Sequence, residues 1–109
     1  MKKSDKYMHF KNNSYEFIGI AIPKVDISLH HTLQTDMEIT EYVRFHDNSY
    51  EIALYGYKGV MFIESTIPHV IYEDEKTHTR WARPVDDFFG YKELEDGQLV
   101  KRFTKQETD

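Results

Sequence analysis

Apolar residues along this chain recur in short runs separated by polar turns, and most runs are strand-length. Residues 15–22 read Tyr-Glu-Phe-Ile-Gly-Ile-Ala-Ile, rich in aromatic and β-branched side chains, and predict a strand ended by Pro23. Residues 37–45 and 50–57 predict two more, and Val60-Met61-Phe62-Ile63 a fourth after a turn bracketed by Gly56 and Gly59. Pro68 is read as starting or interrupting an edge strand before Val70-Ile71-Tyr72. Residues 73–76 form a polar turn, and 77–82 the next strand. Asp96-Gly97 predicts a hairpin turn joining 91–94 to 99–103, with 104–109 as a frayed tail. Only residues 25–33 follow neither the strand period nor the helix period.

One helical turn is predicted over residues 83–90. Pro84 suits the first helical position, Asp86 and Asp87 complement the positive N-terminal end, and Gly90 can stop it. Val85, Phe88 and Phe89 are expected to plug the barrel that the strands would form. A local repeat lies at an offset of 35: Tyr7-x-x-Phe10-x-x-Asn13-Ser14-Tyr15-Glu16 recurs as Tyr42-x-x-Phe45-x-x-Asn48-Ser49-Tyr50-Glu51. Both copies read as strand–turn–strand, because Asn and Asp tolerate the backbone of tight turns. The match does not continue beyond them, so convergence on good turn chemistry is favoured over duplication.

The 109 residues predict a single domain, 1–109. With no cysteine there is neither a disulfide nor a thiolate metal site, which fits a cytoplasmic protein. The basic start at residues 1–6 is followed by no apolar run, so neither a signal peptide nor a membrane span is predicted. A net charge of −5 argues against nonspecific nucleic-acid binding, which needs a basic face.

Several stretches carry a family likeness. Tyr7-Met8-His9-Phe10 with 13–21, Val70-Ile71-Tyr72, Trp81-Ala82-Arg83-Pro84 with Phe88 and Phe89, and the closing Leu99-Val100-Lys101-Arg102-Phe103 together resemble the domain-of-unknown-function 1653 family of short bacterial and phage proteins. The resemblance implies a mainly β fold: a small SH3-like barrel with an inserted hairpin and one short helical turn. It implies no activity. The family-like parts are 7–22 and 70–103, and the stretch of about 24–69 is an enlarged middle region. In a second alignment His31-Thr32 and Asp36-Met37-Glu38 match family elements, Tyr42 takes the Val-Tyr place, and residues 48–69 are an inserted hairpin; both alignments stay open.

Catalytic signatures are weak. The six histidines show no zinc-helix spacing, and adjacent His30 and His31 would face opposite sides of a strand. No Gly-x-Ser-x-Gly turn or Gly-rich phosphate loop occurs, and Ser28, Ser49 or Ser65 could join a triad only by tertiary geometry. The reading is non-enzymatic, with no cofactor and no metal.

The stronger constellation joins aromatics to cations. Strand alternation puts Arg80 and Ala82 on one face and Trp81 and Arg83 on the other. Arg83 beside Trp81 could hold a planar anion by guanidinium hydrogen bonds and indole stacking. Packing of Trp81 in the core, with Arg83 paired to Asp86 or Asp87, accounts for the same residues. The candidate ligand-binding set is Tyr7, His9, Arg44, Tyr55, Tyr57, Arg80, Trp81 and Arg83. It points to a small anionic or nucleotide-like ligand, such as a host signalling nucleotide sequestered in a phage setting. The alternative is a protein–protein interaction module, or an inhibitor of a host enzyme, acting through the acidic surface and the middle region. Barrel edges and exposed aromatics also allow homo-oligomerisation.

Overall fold

In a computed structural model, residues 5–9, 11, 13–24, 38–47, 50–57 and 59–106 are described, and Tyr57 by its backbone alone. Among the described residues there are ten strands, β1 (Lys6–His9), β2 (Ser14–Pro23), β3 (Glu38–Phe45), β4 (Glu51–Tyr57), β5 (Val60–Ile63), β6 (His69–Asp74), β7 (Arg80–Pro84), β8 (Tyr91–Glu93), β9 (Leu99–Lys101) and β10 (Phe103–Lys105). A single helical turn, α1 (Val85–Phe88), follows β7. Strands β2, β5, β4, β3, β7 and β6 close on themselves as a six-stranded barrel. The protein is therefore mainly β, a small barrel with little helix.

The ten-residue β2 makes closure and flanking compatible. Along most of its length it pairs antiparallel with β6, while its other edge meets β1 first (Tyr7 opposite Tyr15) and then β5, in parallel, at Ile22 and Pro23. A register shift between Phe17 and Gly19 marks a bulge, a device that increases local twist where a sheet must curl. Strand β1 carries β10 on its outer side, so β10 and β1 form a flap against the barrel wall. Residues 38–63, within the expected enlarged middle, supply three of the six barrel strands.

Side-chain alternation along β6 divides the core in two. Ile71 points into the barrel with Ala21, Val43, Ile52, Leu54, Ile63 and Ala82, all buried. Val70 and Tyr72 point outward and pack with Tyr7, Phe17, Phe88 and Phe103 beneath the flap and α1. Phe88, the expected barrel plug, is fully buried in this outer cluster instead, with Val85 and Phe89 packed beside it. The barrel interior is already filled by small and branched aliphatics, and burying a whole phenyl ring outside it contributes about 2–3 kcal/mol.

Three further expectations change. Residues 99–103 do not run as one strand: the chain bends at Arg102 between β9 and β10. Residues 103–105, expected in part as frayed tail, pair with β1, where Phe103 gains the outer core. Pro68 precedes no edge, because β6 is paired on both sides, to β2 and β7. The two repeated segments do form hairpins, β1–β2 and β3–β4. Residues 25–33, with His30, His31 and Ser28, lie outside the described residues. Among the described residues no helix is long and apolar enough to cross a membrane.

Candidate functional site: a cationic cleft on the outer barrel wall

The outer face of β6 and β7, the flap and the α1–β8 segment enclose an open cleft of about 580 Å³, within the size range of small-ligand pockets. Its aromatic wall consists of Tyr15, Tyr72, Trp81 and Phe103. The polar rim brings His9, Lys11 and Asn13 from the first hairpin, His46 from the end of β3, Arg83 and Asp87 from the β7–α1 junction, and Lys92 and Arg102 from the C-terminal part. Among the described residues, four cations thus face one carboxylate on a chain whose net charge is −5.

Asp87 is the hub of the rim. Arg83 Nη1 donates to its Oδ2 at 2.7 Å, and Arg102 Nε donates to its Oδ1 at 3.2 Å. Arg83 Nε also reaches the Tyr72 hydroxyl at 3.4 Å, and its guanidinium lies 5.4 Å from the Phe103 ring centroid. Arg102 is tethered by its backbone N–H to the Gly90 carbonyl (3.1 Å) and by Nη1 to the Tyr91 carbonyl (3.4 Å). The bend that splits the last predicted strand therefore re-aims Arg102 at Asp87.

The wall aromatics brace one another. Tyr72 meets Tyr15 and Phe103 at centroid distances of 5.2 and 5.3 Å, mostly edge to face, the arrangement ring quadrupoles favour. His9 packs edge-on against Phe103 at 4.9 Å, and its Nδ1 accepts the Lys11 backbone N–H at 3.2 Å. With Nδ1 accepting, the neutral ring carries its proton on Nε2. Burial first, then the positive charges of Arg83, Lys11 and Arg102, push the His9 pKa down to about 4. His46, fixed by its backbone N–H to the Ala82 carbonyl, is lowered by burial and by Arg83. Burial raises the phenols of Tyr15 and Tyr72. The cleft is thus lined by neutral imidazoles and phenols among fixed positive charges. Trp81 Nε1 is buried and has no hydrogen-bond partner among the described residues.

Of the eight sequence candidates, His9, Trp81 and Arg83 meet in this cleft. Tyr7 lies in the outer core, 4% exposed and edge-on to Phe88. Arg80, on the opposite face of β7 from Arg83, is committed to Glu73 (2.9 Å) and Glu41 (3.0 Å). Arg44 sits on β3 in register with Trp81, exposed and outside the lining. Tyr55 donates to Glu64 at 3.0 Å beneath Lys24, away from the cleft. The Tyr57 side chain is outside the described residues. Alternation on β7 is as expected, and Arg83 does pair with Asp87. Lys11, Asn13, Tyr15, His46, Tyr72, Asp87, Lys92, Arg102 and Phe103 were not singled out as ligand-binding. All of these except His46 fall within the family-like parts 7–22 and 70–103, which only tertiary pairing turns into one wall.

No family model, no curated protein and no solved structure matches this chain. Among the described residues no group of three or more His, Asp or Glu is placed to hold a metal ion.

Proposed function

We propose that this protein is a non-enzymatic binding module whose cleft takes a small anionic or nucleotide-like ligand. The observation that carries the reading is the gathering of Arg83, Arg102, Lys11 and Lys92 around an aromatic wall on an otherwise acidic chain. Guanidinium groups offer directional hydrogen bonds to oxyanions, and the indole of Trp81 offers a face to a planar ring. Asp87 has both oxygens engaged by arginines, which suits it to organising cations more than to moving protons. The likeness to the domain-of-unknown-function 1653 family belongs to the same proposal, since its opening and its Trp-x-Arg-Pro stretch contribute His9, Trp81 and Arg83 to one site. In a phage setting such a module would sequester a host signalling nucleotide.

The test is native mass spectrometry of the protein after incubation with a panel of nucleotides and with filtered bacterial lysate. A discrete mass increment, lost in Arg83→Ala, is the expected result and also reports any homo-oligomer. An unliganded mass throughout, with no change in Trp81 fluorescence, would end this reading.

The alternative is a protein-interaction module or host-enzyme inhibitor. It is favoured by one observation: Ile39, Tyr42 and Tyr50 of the β3–β4 region are all about half exposed or more. A stoichiometric partner lost in Ile39→Ser/Tyr42→Ser, and retained in Arg83→Ala, would replace the ligand reading.

A further inference from the structure

We infer that Asp87 makes the cleft selective for phosphoryl over carboxylate anions, by standing in as a built-in carboxylate that holds the N–H groups a carboxylate ligand needs. The inference rests on the reading of the cleft as an anion site. Asp87 already gives each arginine what a dissolved carboxylate would give: one oxygen to Arg83 Nη1 and the other to Arg102 Nε. It is delivered by α1, whose next residue, Phe88, is fully buried, so the carboxylate is held at high effective concentration. An incoming carboxylate exchanges like for like, forming two hydrogen bonds as two are lost, and still bears the entropy of association.

A phosphoryl group is different on two counts. It carries a third terminal oxygen and close to a second negative charge. The extra oxygen can accept from a guanidinium N–H directed away from Asp87, and the extra charge interacts with Lys11 and Lys92 on the same rim. Both arginines are anchored independently of Asp87: Arg83 reaches Tyr72, and Arg102 reaches the carbonyls of Gly90 and Tyr91. They stay in the cleft when Asp87 is displaced or neutralised. Between anions of similar charge, one whose oxygens need the N–H groups held by Asp87 therefore gains more from removing this internal competitor than one that also binds elsewhere on the two guanidinium groups.

The experiment titrates the full chain with inorganic pyrophosphate and with citrate, anions of similar total charge, and reads the fluorescence of Trp81, the chain's sole tryptophan, with calorimetry alongside. The wild type should prefer pyrophosphate by roughly tenfold or more, and Asp87→Asn should reduce that preference to within about threefold by tightening citrate. Asp87→Ala, which lacks any side-chain acceptor, should do the same, and circular dichroism establishes that each variant is folded. Equal binding of citrate and pyrophosphate by the wild type would overturn the inference. So would an undiminished preference in either folded variant. If neither these anions nor any nucleotide binds the wild type by either readout, the anion-site reading itself fails and takes this inference with it.

Discussion

Phe88 lies nearly flat on Phe103, with ring centroids 4.1 Å apart and planes 13° from parallel. This contact ties the helical turn that carries Asp87 to the strand that follows Arg102. Stability and site geometry therefore share one pair of rings. Phe88→Ala should destabilise the protein by about 3–5 kcal/mol, the usual range for removing a buried phenyl ring. Urea denaturation measures it. A loss under about 1 kcal/mol would mean that the outer cluster is not a core in its own right.

Arg83 and Arg80, two residues apart on opposite faces of β7, should behave differently. Arg83→Ala removes charged hydrogen bonds facing the cleft and should weaken anion binding by roughly tenfold to a hundredfold. Arg80→Ala breaks ion pairs to Glu41 and Glu73 that are 39% exposed at the arginine side chain, and should lower stability by about 0–1 kcal/mol without changing binding. Calorimetric titration of both variants with one nucleotide checks this. Equal losses would detach the binding from the cleft.

Much of the barrel was legible because strands speak through alternation and turn residues. The runs at 15–22, 37–45, 50–57 and 60–63 correspond to β2 to β5, and the turn after Pro84 is α1. What stayed hidden depended on pairing between distant segments. Nothing local shows that residues 103–105 add to β1, or that Phe88 belongs outside the barrel, since an aromatic side chain suits either apolar layer. The same limit governed the site. His9, Trp81 and Arg83 stood in recognisable stretches, whereas Arg102 acquires its role from a bend that brings it to Asp87, fifteen residues away.

Gly90 marks where that bend is fixed. A Cβ there would stand 2.8 Å from the backbone oxygen of Asp86, a rigid neighbour, while the Gly90 carbonyl receives the Arg102 N–H. Gly90→Ala should therefore lower stability by about 1–3 kcal/mol and weaken anion binding together. Denaturation and titration of the same sample test the coupling. Reduced stability with full affinity would show that Arg102 is positioned without this hydrogen bond.

The partly or fully buried imidazoles of His9, His46 and His69 set an acid-sensitive window. The His9 pKa falls from 6.5 in the unfolded chain to about 4 in the fold, chiefly through burial, so between these values the unfolded state binds the proton that the folded state lacks. Stability contributed by the neutral ring is present above pH 6.5 and is lost progressively as pH falls towards 4. His46 and His69, also lowered first by burial, act in the same direction. Glu73, lowered mainly by its hydrogen bond from Arg80, loses its contribution only below its ordinary 4.5, so the histidine window can be read separately. Urea midpoints should drop between pH 6.5 and 5, and less steeply in His9→Gln. Sulfate, an anion that does not titrate in this range, should blunt the drop: seated beside Arg83 and Arg102 it offsets their repulsion of a charged His9 and raises its pKa. Its stabilising effect over chloride at equal ionic strength should accordingly grow as pH falls. A sulfate effect independent of pH, in the wild type and His9→Gln alike, would place the bound anion away from His9.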